Sequence, residues 1–328
     1  MDPSVIIVPS IVIDDLLVRC VEACRRISPR TEVIVVVDDT TGADRLIDKA
    51  TVVSSPDPSI GAKRNLAAAM STSRHLAFID SDAYPIRGWP DNAVALLDAD
   101  AGLGAVGGPN ISPPHQGEWE TAVGHAHRSV FVDGWWRYRK VRTGRRRDVP
   151  ALPTCNLVVR RADYEAVGGM DEELFTGEDT DFCARLTARG RRIRFAPEVV
   201  VYHKDRDLRA FVIQRYTFGV AIVPLVRRGT RPDPAYLAAA GAVSALVLFL
   251  ASGPVGIAVR PWRRIWARGA LAYGCALAAE AVRLVGVKPL AARVAFVLAI
   301  GNLAPGIGAL SGVLGLYPNL RGIYRNDR

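Results

Sequence analysis

The sequence has few of the residues that mark disulfide-rich or zinc-binding proteins. Only 5 of its 328 residues are cysteine. Their number is odd and no pair has zinc-knuckle or redox spacing, which argues against a disulfide framework and a structural zinc site. Cys20 and Cys24 lie one helical turn apart in an apolar stripe, so we expect reduced thiols in a core. The first residues lack a basic stretch followed by an apolar run and a cleavage site, so we expect no signal peptide.

Acidic residues are scarce in the last third of the chain. From Arg227 to Arg328 there are 13 Lys or Arg and 3 Asp or Glu, whereas the segment before it holds 29 basic and 30 acidic residues. The whole excess of positive charge, +9 for the chain, therefore lies among long apolar runs. This distribution favours anionic lipid headgroups as a partner and argues against nucleic acid.

Charge is absent altogether from two long runs in that last third. Ala235–Val259 has no charged residue over 25 positions and Val294–Leu320 none over 27, and about 20 apolar residues span a bilayer core. Gly269–Val287 is apolar but interrupted by charge, so it is a third span or an interfacial helix. We expect a first domain at residues 1–226 and a membrane-associated region at 227–328 with two or three hydrophobic helices. A buried helix pair in a soluble protein is the alternative.

The membrane topology stays open at this point. If the first domain is cytoplasmic, as we expect, a full first span would place four arginines outside, against the positive-inside tendency. These are Arg260, Arg263, Arg264 and Arg268. Gly253, Pro254 and Gly256 could instead bend the first run into a re-entrant hairpin. The region is therefore expected to be multi-pass or re-entrant.

The first two thirds alternate between strand-like and helix-like segments. The expected strands are Val5–Val8, Glu32–Val37, Thr51–Ser54 and His75–Ile79, and helical spacing follows Asp14 and covers Ala62–Met70. This alternation predicts an α/β fold with a mainly parallel, Rossmann-like sheet. Such sheets bind ligands at the carboxyl ends of their strands, so the polar residues closing each strand are the candidate site.

Two carboxylates, Asp80 and Asp82, directly follow the strand His75–Ile79. At this spacing they can hold one hard divalent cation, which would neutralise a departing diphosphate. An Asx turn at the strand end explains the same residues. Asp38 and Asp39 likewise close the strand Glu32–Val37, where a carboxylate can accept hydrogen bonds from a base or ribose, or form a turn.

Two further segments carry candidate residues. Lys63 and Arg64 lie at the start of a helix, an arrangement suited to an anionic diphosphate but also to a solvated helix face. Glu178 and Asp179 precede the helix-like segment Phe182–Ala188. One of these carboxylates could act as a general base, although Thr176 with Asp179 also makes a capping box.

The order and spacing of these segments resemble inverting glycosyltransferase family 2, whose members have the GT-A nucleotide-diphospho-sugar transferase fold. The matches are Val5–Val8 with Pro9, Val37-Asp38-Asp39, Ala62-Lys63-Arg64-Asn65, Phe78-Ile79-Asp80-Ser81-Asp82, the segment Cys155–Gly169 and Gly177-Glu178-Asp179-Thr180-Asp181. The resemblance covers about residues 3–220.

The resemblance implies a metal-dependent sugar transfer with inversion. Asp38 or Asp39 would contact the base or ribose, and Lys63, Arg64 and Asp80 would lie near the nucleotide. Asp80, Asp82 and His203 would hold Mg²⁺ or Mn²⁺, Asp179 would be the catalytic base, and Glu178 would position the acceptor. The expected donor is a UDP-, GDP- or dTDP-sugar, and the acceptor a lipid-linked or other glycan at the membrane.

Two departures from related enzymes narrow the interpretation. Synthases that extend long polymers carry a Gln-x-x-Arg-Trp motif, but here the comparable place reads Gln214-Arg215-Tyr216, which favours addition of one or a few sugars. Sugar-nucleotide pyrophosphorylases carry a glycine-rich basic loop after the first strand, and Pro9–Asp14 is not such a loop. A membrane scaffold that has lost catalysis is the non-enzyme alternative.

A dense basic segment, Arg137–Arg147, has seven basic residues among eleven. Like charges at this density repel and favour a solvated loop. The functional alternative is a lid over a diphosphate or a lipid-phosphate acceptor.

Overall fold

The protein is described by a computed structural model that covers residues 4–46, 48–142, 144–174, 176–227 and 234–316. By its internal contacts the chain forms two compact units. The sheet unit comprises residues 1–113 and 138–204, and the helical unit comprises residues 114–137 and 205–328. These units do not coincide with segments 1–226 and 227–328, whose functional division stays a prediction.

The sheet unit has strands at all four of the places where the sequence predicts them, and further strands besides. Its strands are β1 (Ser4–Pro9), β2 (Glu32–Val37), β3 (Thr51–Ser54), β4 (His75–Ile79), β5 (Ala83–Pro85), β6 (Leu103–Gly107), β7 (Asn110–Ile111), β8 (Arg147–Asp148), β9 (Asn156–Arg160), β10 (Arg192–Phe195) and β11 (Val201–His203). Its helices are α1 (Asp15–Ile27), α2 (Ile60–Met70), α3 (Asp91–Ala99), α6 (Arg161–Ala166) and α7 (Glu178–Ala188). A short 3₁₀ helix covers Ala43–Leu46.

Within the described residues, eight strands form the main sheet in the order β3-β2-β1-β4-β9-β6-β10-β8. The pairs β1–β2, β1–β4, β2–β3 and β6–β10 are parallel, whereas β9 is antiparallel to both β4 and β6. The prediction of an α/β fold with a mainly parallel sheet is therefore confirmed. The smaller sheet has the order β5-β11-β7 and brings β11 beside the segment that follows β4.

The core of the sheet unit explains why the strands read as continuous apolar runs. Every residue of β1 and β4 is buried, since helices cover both faces of a parallel sheet. Helix α1 begins with the Asp14 carboxylate accepting a hydrogen bond from Leu17 N at 2.9 Å, an N-cap that ends the loop after β1. Its apolar face buries Cys20 and Cys24, as their spacing predicts.

The helical unit contains α4 (Glu118–Ala126), α5 (Val130–Asp133), α8 (Leu208–Arg227), α9 (Pro234–Ala251), α10 (Val255–Ala258), α11 (Arg260–Val285) and α12 (Leu290–Val313). A 3₁₀ segment covers Gly134–Lys140. The core of this unit joins residues of α4, α5, α8, α11 and α12. Residues 114–137 thus pack with helices that lie far along the chain.

One helix of the described chain, Leu290–Val313, is long and apolar enough to cross a membrane, and half of its most apolar window is buried in the protein. The first uncharged run is not one continuous helix, because α9 ends at Ala251 and the short α10 follows. Of the two alternatives left open by the sequence, the structure thus has the break near Gly253. Residues 317–320 of the second run lie outside the described residues.

Candidate active site

The predicted metal ligands lie together where β4 and β11 end. Asp80 and Asp82 follow β4, and His203 closes β11, whose register pairs His203 with Ala83. His203 Nε2 is 3.4 Å from Asp82 Oδ1 and 3.8 Å from Asp80 Oδ2. Since ligand atoms about 2.1 Å from one octahedral cation are roughly 3 Å apart, two carboxylates and an imidazole at these distances fit a divalent ion.

The charges of this cluster also favour a cation. Burial lowers the pKa of His203, but the neighbouring carboxylates Asp82 and Asp80 outweigh that effect and raise it above its usual value. The same negative charge that raises this pKa would attract a metal ion. About a third of each carboxylate side chain is exposed, which leaves an open side for water and substrate oxygens.

Cys155 lies beside this cluster, with its Sγ, an Asp80 oxygen and a His203 nitrogen all within 4.8 Å of one another. Burial and the carboxylates Asp80 and Asp82 raise the pKa of this thiol well above its usual value, so it stays protonated. Its sulfur accepts a hydrogen bond from Asn110 Nδ2 at 3.3 Å. A neutral thiol is a poor ligand for a hard cation, so Cys155 is a weaker candidate ligand than the carboxylates or the imidazole.

Arg64 connects the metal cluster to the first turn of α7. Its guanidinium donates to Asp80 Oδ1 at 3.0 Å and to Glu178 Oε1 at 2.8 Å. The arginine side chain is only 2% exposed, and the two carboxylates raise its pKa against the opposing effect of burial. The bridge fixes the start of α7 relative to the end of β4, although 114 residues separate Arg64 from Glu178.

Asp179 follows Glu178 at the start of α7 and makes only local hydrogen bonds among the described residues. Its Oδ1 accepts from Thr180 N at 2.7 Å. Burial raises the pKa of Asp179, and burial together with the charge of Asp179 raises that of Glu178. The capping box that was the alternative interpretation is not formed, because the N-cap is Gly177 in the left-handed region at φ 85°. Asp179 instead accepts one bond from the first turn of its own helix through Thr180 N.

The two candidate residues after β2 have different surroundings. Asp38 is ion-paired with Lys63, whose fully buried Nζ also donates to Ser10 O at 2.6 Å. Lys63 is thus held beneath the strand ends and acts on the site through Asp38. Asp39 is exposed and accepts a hydrogen bond from Thr41 N at 2.6 Å, which is the Asx turn expected as its alternative.

Asn65 and the pair Gly168-Gly169 belong to the motifs that resemble family 2, and they have a structural role. Asn65 Oδ1 accepts from Met170 N at 2.9 Å, and its Nδ2 donates to Met170 O at 2.9 Å. Gly168 and Gly169 both have positive φ, and Arg185 of α7 donates to Gly169 O at 2.7 Å. These bonds hold the turn that leads from α6 towards α7.

Two cations of the basic segment also act on this site. The charge of Arg139 partly offsets the rise that burial causes in the pKa of Asp179, and that of Lys140 partly offsets the rise that Asp82 and Asp80 cause in the pKa of His203. Sequence reasoning left the role of this segment open, because seven neighbouring cations do not reveal which of them turn towards the carboxylates. The same segment is fixed by Tyr138, whose ring lies edge-on to Phe195 at 4.7 Å and under Arg147.

An α/β unit with carboxylates and a histidine at its strand ends is the arrangement of the nucleotide-sugar transferase class. The family model described as glycosyl transferase family group 2 matches residues 75–304, which is more than half of the chain. The chain belongs to this family.

Known proteins similar to the chain agree with this assignment. A pre-mycofactocin glycosyltransferase from two strains of Mycobacterium tuberculosis is 31% identical over 236 residues, covering 70% of this chain and 48% of that protein. The chain thus spans about half the length of these curated relatives. The mannosyltransferase PcManGT from Pyrobaculum calidifontis, solved with GDP-Man and Mn²⁺, is 19% identical with a TM-score of 0.56, covering 96% of this chain and 88% of that chain. The fold is therefore GT-A.

Proposed function

We propose that the protein is a metal-dependent, inverting glycosyltransferase. It would transfer a sugar from a UDP-, GDP- or dTDP-sugar to a lipid-linked or other glycan acceptor. The observation that carries the proposal is the joining of two groups by Arg64: the cation-binding set of Asp80, Asp82 and His203, and the carboxylates that begin α7.

The donor half of the proposal rests on the strand ends. Asp38 accepts hydrogen bonds from the nucleoside, and the buried Lys63 fixes its orientation. Asp80, Asp82 and His203 would hold Mg²⁺ or Mn²⁺, which when bound supplies positive charge to the departing diphosphate. The Mn²⁺ and GDP-Man of the mannosyltransferase with the same fold agree with this choice.

The acceptor half rests on α7. Asp179 takes the proton from the attacking hydroxyl, and its raised pKa makes it a stronger base than an ordinary Asp. Glu178, tied to Arg64, positions the acceptor beside it. Inversion follows if the base and the diphosphate lie on opposite faces of the sugar, because a single in-line displacement then completes the transfer.

The membrane half of the proposal rests on the helical unit. We infer that the apolar α12 and its neighbours hold the protein at the cell membrane, as a multi-pass or re-entrant protein with the active site on the cytoplasmic side. The uncharged runs, the basic last third and the free buried thiols support this location. A lipid-linked acceptor would be available there.

Release of nucleoside diphosphate tests the proposal against the alternatives. Detergent-purified protein is incubated with UDP-, GDP- and dTDP-sugars, Mn²⁺ and a lipid and glycan extract. An enzyme of this kind frees one nucleoside diphosphate, and Asp80→Ala abolishes its release. A scaffold releases none from any donor, and a pyrophosphorylase would instead require pyrophosphate and form a nucleoside triphosphate.

A further inference from the structure

The turn between α9 and α11 is built around two fixed tryptophans. Trp262 Nε1 donates to Ser252 O at 3.2 Å, and Trp266 Nε1 donates to Leu250 O at 3.1 Å. Both indoles thus donate to carbonyls at or just after the end of α9, which also accept backbone hydrogen bonds from Gly253 N and Val255 N. A Cβ built at Gly253 would lie 2.9 Å from the Trp266 ring, so glycine is required for this close packing. We call residues 250–268 the arginine turn.

The arginine turn carries four exposed guanidiniums. Arg260, Arg264 and Arg268 follow one another at i, i+4 spacing, and Arg263 lies beside them. The sequence has no acidic residue from Pro234 to Ala279, and none of the four arginines is in an ion pair within the described part of the chain. Like charges at this spacing repel one another and disfavour the helix they share. An external anion would remove that cost.

Exposed apolar side chains surround these charges. Ile257 is 87% exposed, Ile265 56% and Val255 52%. A patch of arginines, tryptophans and exposed aliphatic side chains matches a membrane interface, where charged heads meet lipid phosphates and apolar groups enter the acyl boundary. RNA would also bind the guanidiniums, but it would not bury the exposed side chains of the two isoleucines and the valine.

We propose that the arginine turn is a docking site for anionic phospholipid headgroups. Arg260, Arg263, Arg264 and Arg268 bind the lipid phosphates, while Ile257 and Ile265 enter the interface beside them. This site rests on the membrane location in the proposed function but does not depend on glycosyl transfer, so its failure would leave the proposed activity untouched.

Thermal unfolding of the full chain in mixed micelles tests the docking site. Equal mole fractions of phosphatidylglycerol or phosphatidylcholine are added to the detergent-purified protein. Because a ligand of the native state stabilises it, phosphatidylglycerol should raise the unfolding midpoint by about 2 °C or more relative to phosphatidylcholine. The variant R260Q/R263Q/R264Q/R268Q should lose this difference.

Two matched variants distinguish the positive charge of the arginine turn from positive charge elsewhere on the protein. R260K/R263K/R264K/R268K keeps the four cations and should retain the phosphatidylglycerol effect even if the glutamine variant folds poorly. R26Q/R30Q/R87Q/R189Q removes four exposed arginines of the sheet unit and should also retain it.

Four results would overturn the proposal. The first is an equal midpoint of the natural protein in both lipids, and the second is an undiminished lipid effect in a folded glutamine variant. The third is a rise in the midpoint that depends on these arginines when inorganic phosphate alone is added to phosphatidylcholine micelles. The fourth is the same rise when a single-stranded RNA oligonucleotide is added instead. These would identify a general anion site or a nucleic-acid site instead.

Discussion

At the scale of single residues, Asp179 and Asp181 provide a matched pair on one helix. Both are in the first turn of α7, but Asp181 is ion-paired with Arg185 at 2.7 Å, whereas Asp179 bonds only to Thr180 among the described residues. We predict that Asp179→Asn lowers kcat by about a hundredfold to ten-thousandfold with little change in donor affinity, because it removes a base without changing volume. Rates of nucleoside diphosphate release provide the measurement.

The control is Asp181→Asn, which removes the same charge two residues away. It should keep kcat within a few-fold of the natural protein. Equal losses in the two variants would mean that charge at the start of α7, and not a base at Asp179, supports the reaction.

The raised pKa of Asp179 sets the direction of the pH dependence. Burial favours the protonated carboxyl, and only the ionised form can accept a proton. Activity should therefore fall as the pH drops through a value above that of an ordinary Asp. In a profile of kcat against pH, the acid limb should be present in the natural protein and missing from the residual activity of Asp179→Asn. If the acid limb of the Asp179→Asn profile lies at the same pH as in the natural protein, the limb reports the titration of another group.

Individual site residues were predictable where a strand end or a helix start marked them in the sequence. Asp80, Asp82 and Asp38 follow buried strands, and that local pattern made them candidates, while the resemblance to family 2 gave them their expected roles. The burial of Lys63 and the approach of Cys155 to Asp80 were not predictable, because both depend on packing between segments far apart in the chain. Spacing alone could not have revealed them.

At the scale of elements, two adjacent glycines allow backbone strain and steric clash to be separated. Gly168 and Gly169 have φ values of +79° and +72°. A Cβ at Gly169 would lie 2.5 Å from Asn65 Oδ1, whereas at Gly168 it would meet nothing within 4 Å. We predict that Gly168→Ala costs about 1 kcal/mol of stability, and that Gly169→Ala costs more and also lowers kcat by moving the segment before α7.

Urea denaturation and the rate of nucleoside diphosphate release measure the two effects. The difference between the variants isolates the contact with Asn65. If both alanines cost the same stability and spare kcat equally, the Asn65 contact has no part in positioning α7.

A second element-scale prediction concerns Pro305 inside α12. Proline has no N–H, so the Gly301 carbonyl one turn earlier lacks its helical partner. Arg215 of α8 donates from Nε to that oxygen at 3.2 Å and from Nη2 to Val132 O at 2.8 Å. The arginine of the Gln214-Arg215-Tyr216 segment therefore holds helices together in the helical unit.

Arg215→Met should destabilise the helical unit by about 1–3 kcal/mol, because it leaves buried carbonyls without donors. Pro305→Ala supplies a new N–H for Gly301 and should reduce the cost of the arginine change, which a double-mutant cycle of unfolding measures. Arg128→Met, an exposed change of the same size in the helical unit, is the control. A cost for Arg215→Met that Pro305→Ala leaves unaltered would contradict this account.

Most elements of the sheet unit were predictable because local patterns specify them. Continuous β-branched runs predicted β1 and β2, and Asp14 indicated the start of α1. The strand order was not predictable in this way, since β9 enters the sheet between β4 and β6 from far along the chain. A bend near Gly253 was one of the two alternatives that the sequence left open, because glycine and proline there disfavour a continuous helix.

At the scale of the whole molecule, the sequence suggested one boundary near residue 226, and the contacts follow a different division. Residues 114–137 join the helical unit although they interrupt the sheet unit in sequence. Apolar runs reveal long helices but not which short amphipathic segment packs on them. The sequence therefore did not predict that Ala122, Val123 and Val132 belong to the core of the helical unit.

The account of the whole protein depends on one claim, that Asp80, Asp82 and His203 hold a divalent cation which binds the donor diphosphate. Calorimetric titration of detergent-purified protein with UDP, GDP and dTDP, with Mn²⁺ present and then chelated, tests it most directly. We predict binding of one nucleotide that weakens at least about tenfold without metal, and an Asp82→Ala variant that no longer responds to metal. Equal affinity with and without Mn²⁺, or metal-dependent binding that survives Asp82→Ala, would contradict the account.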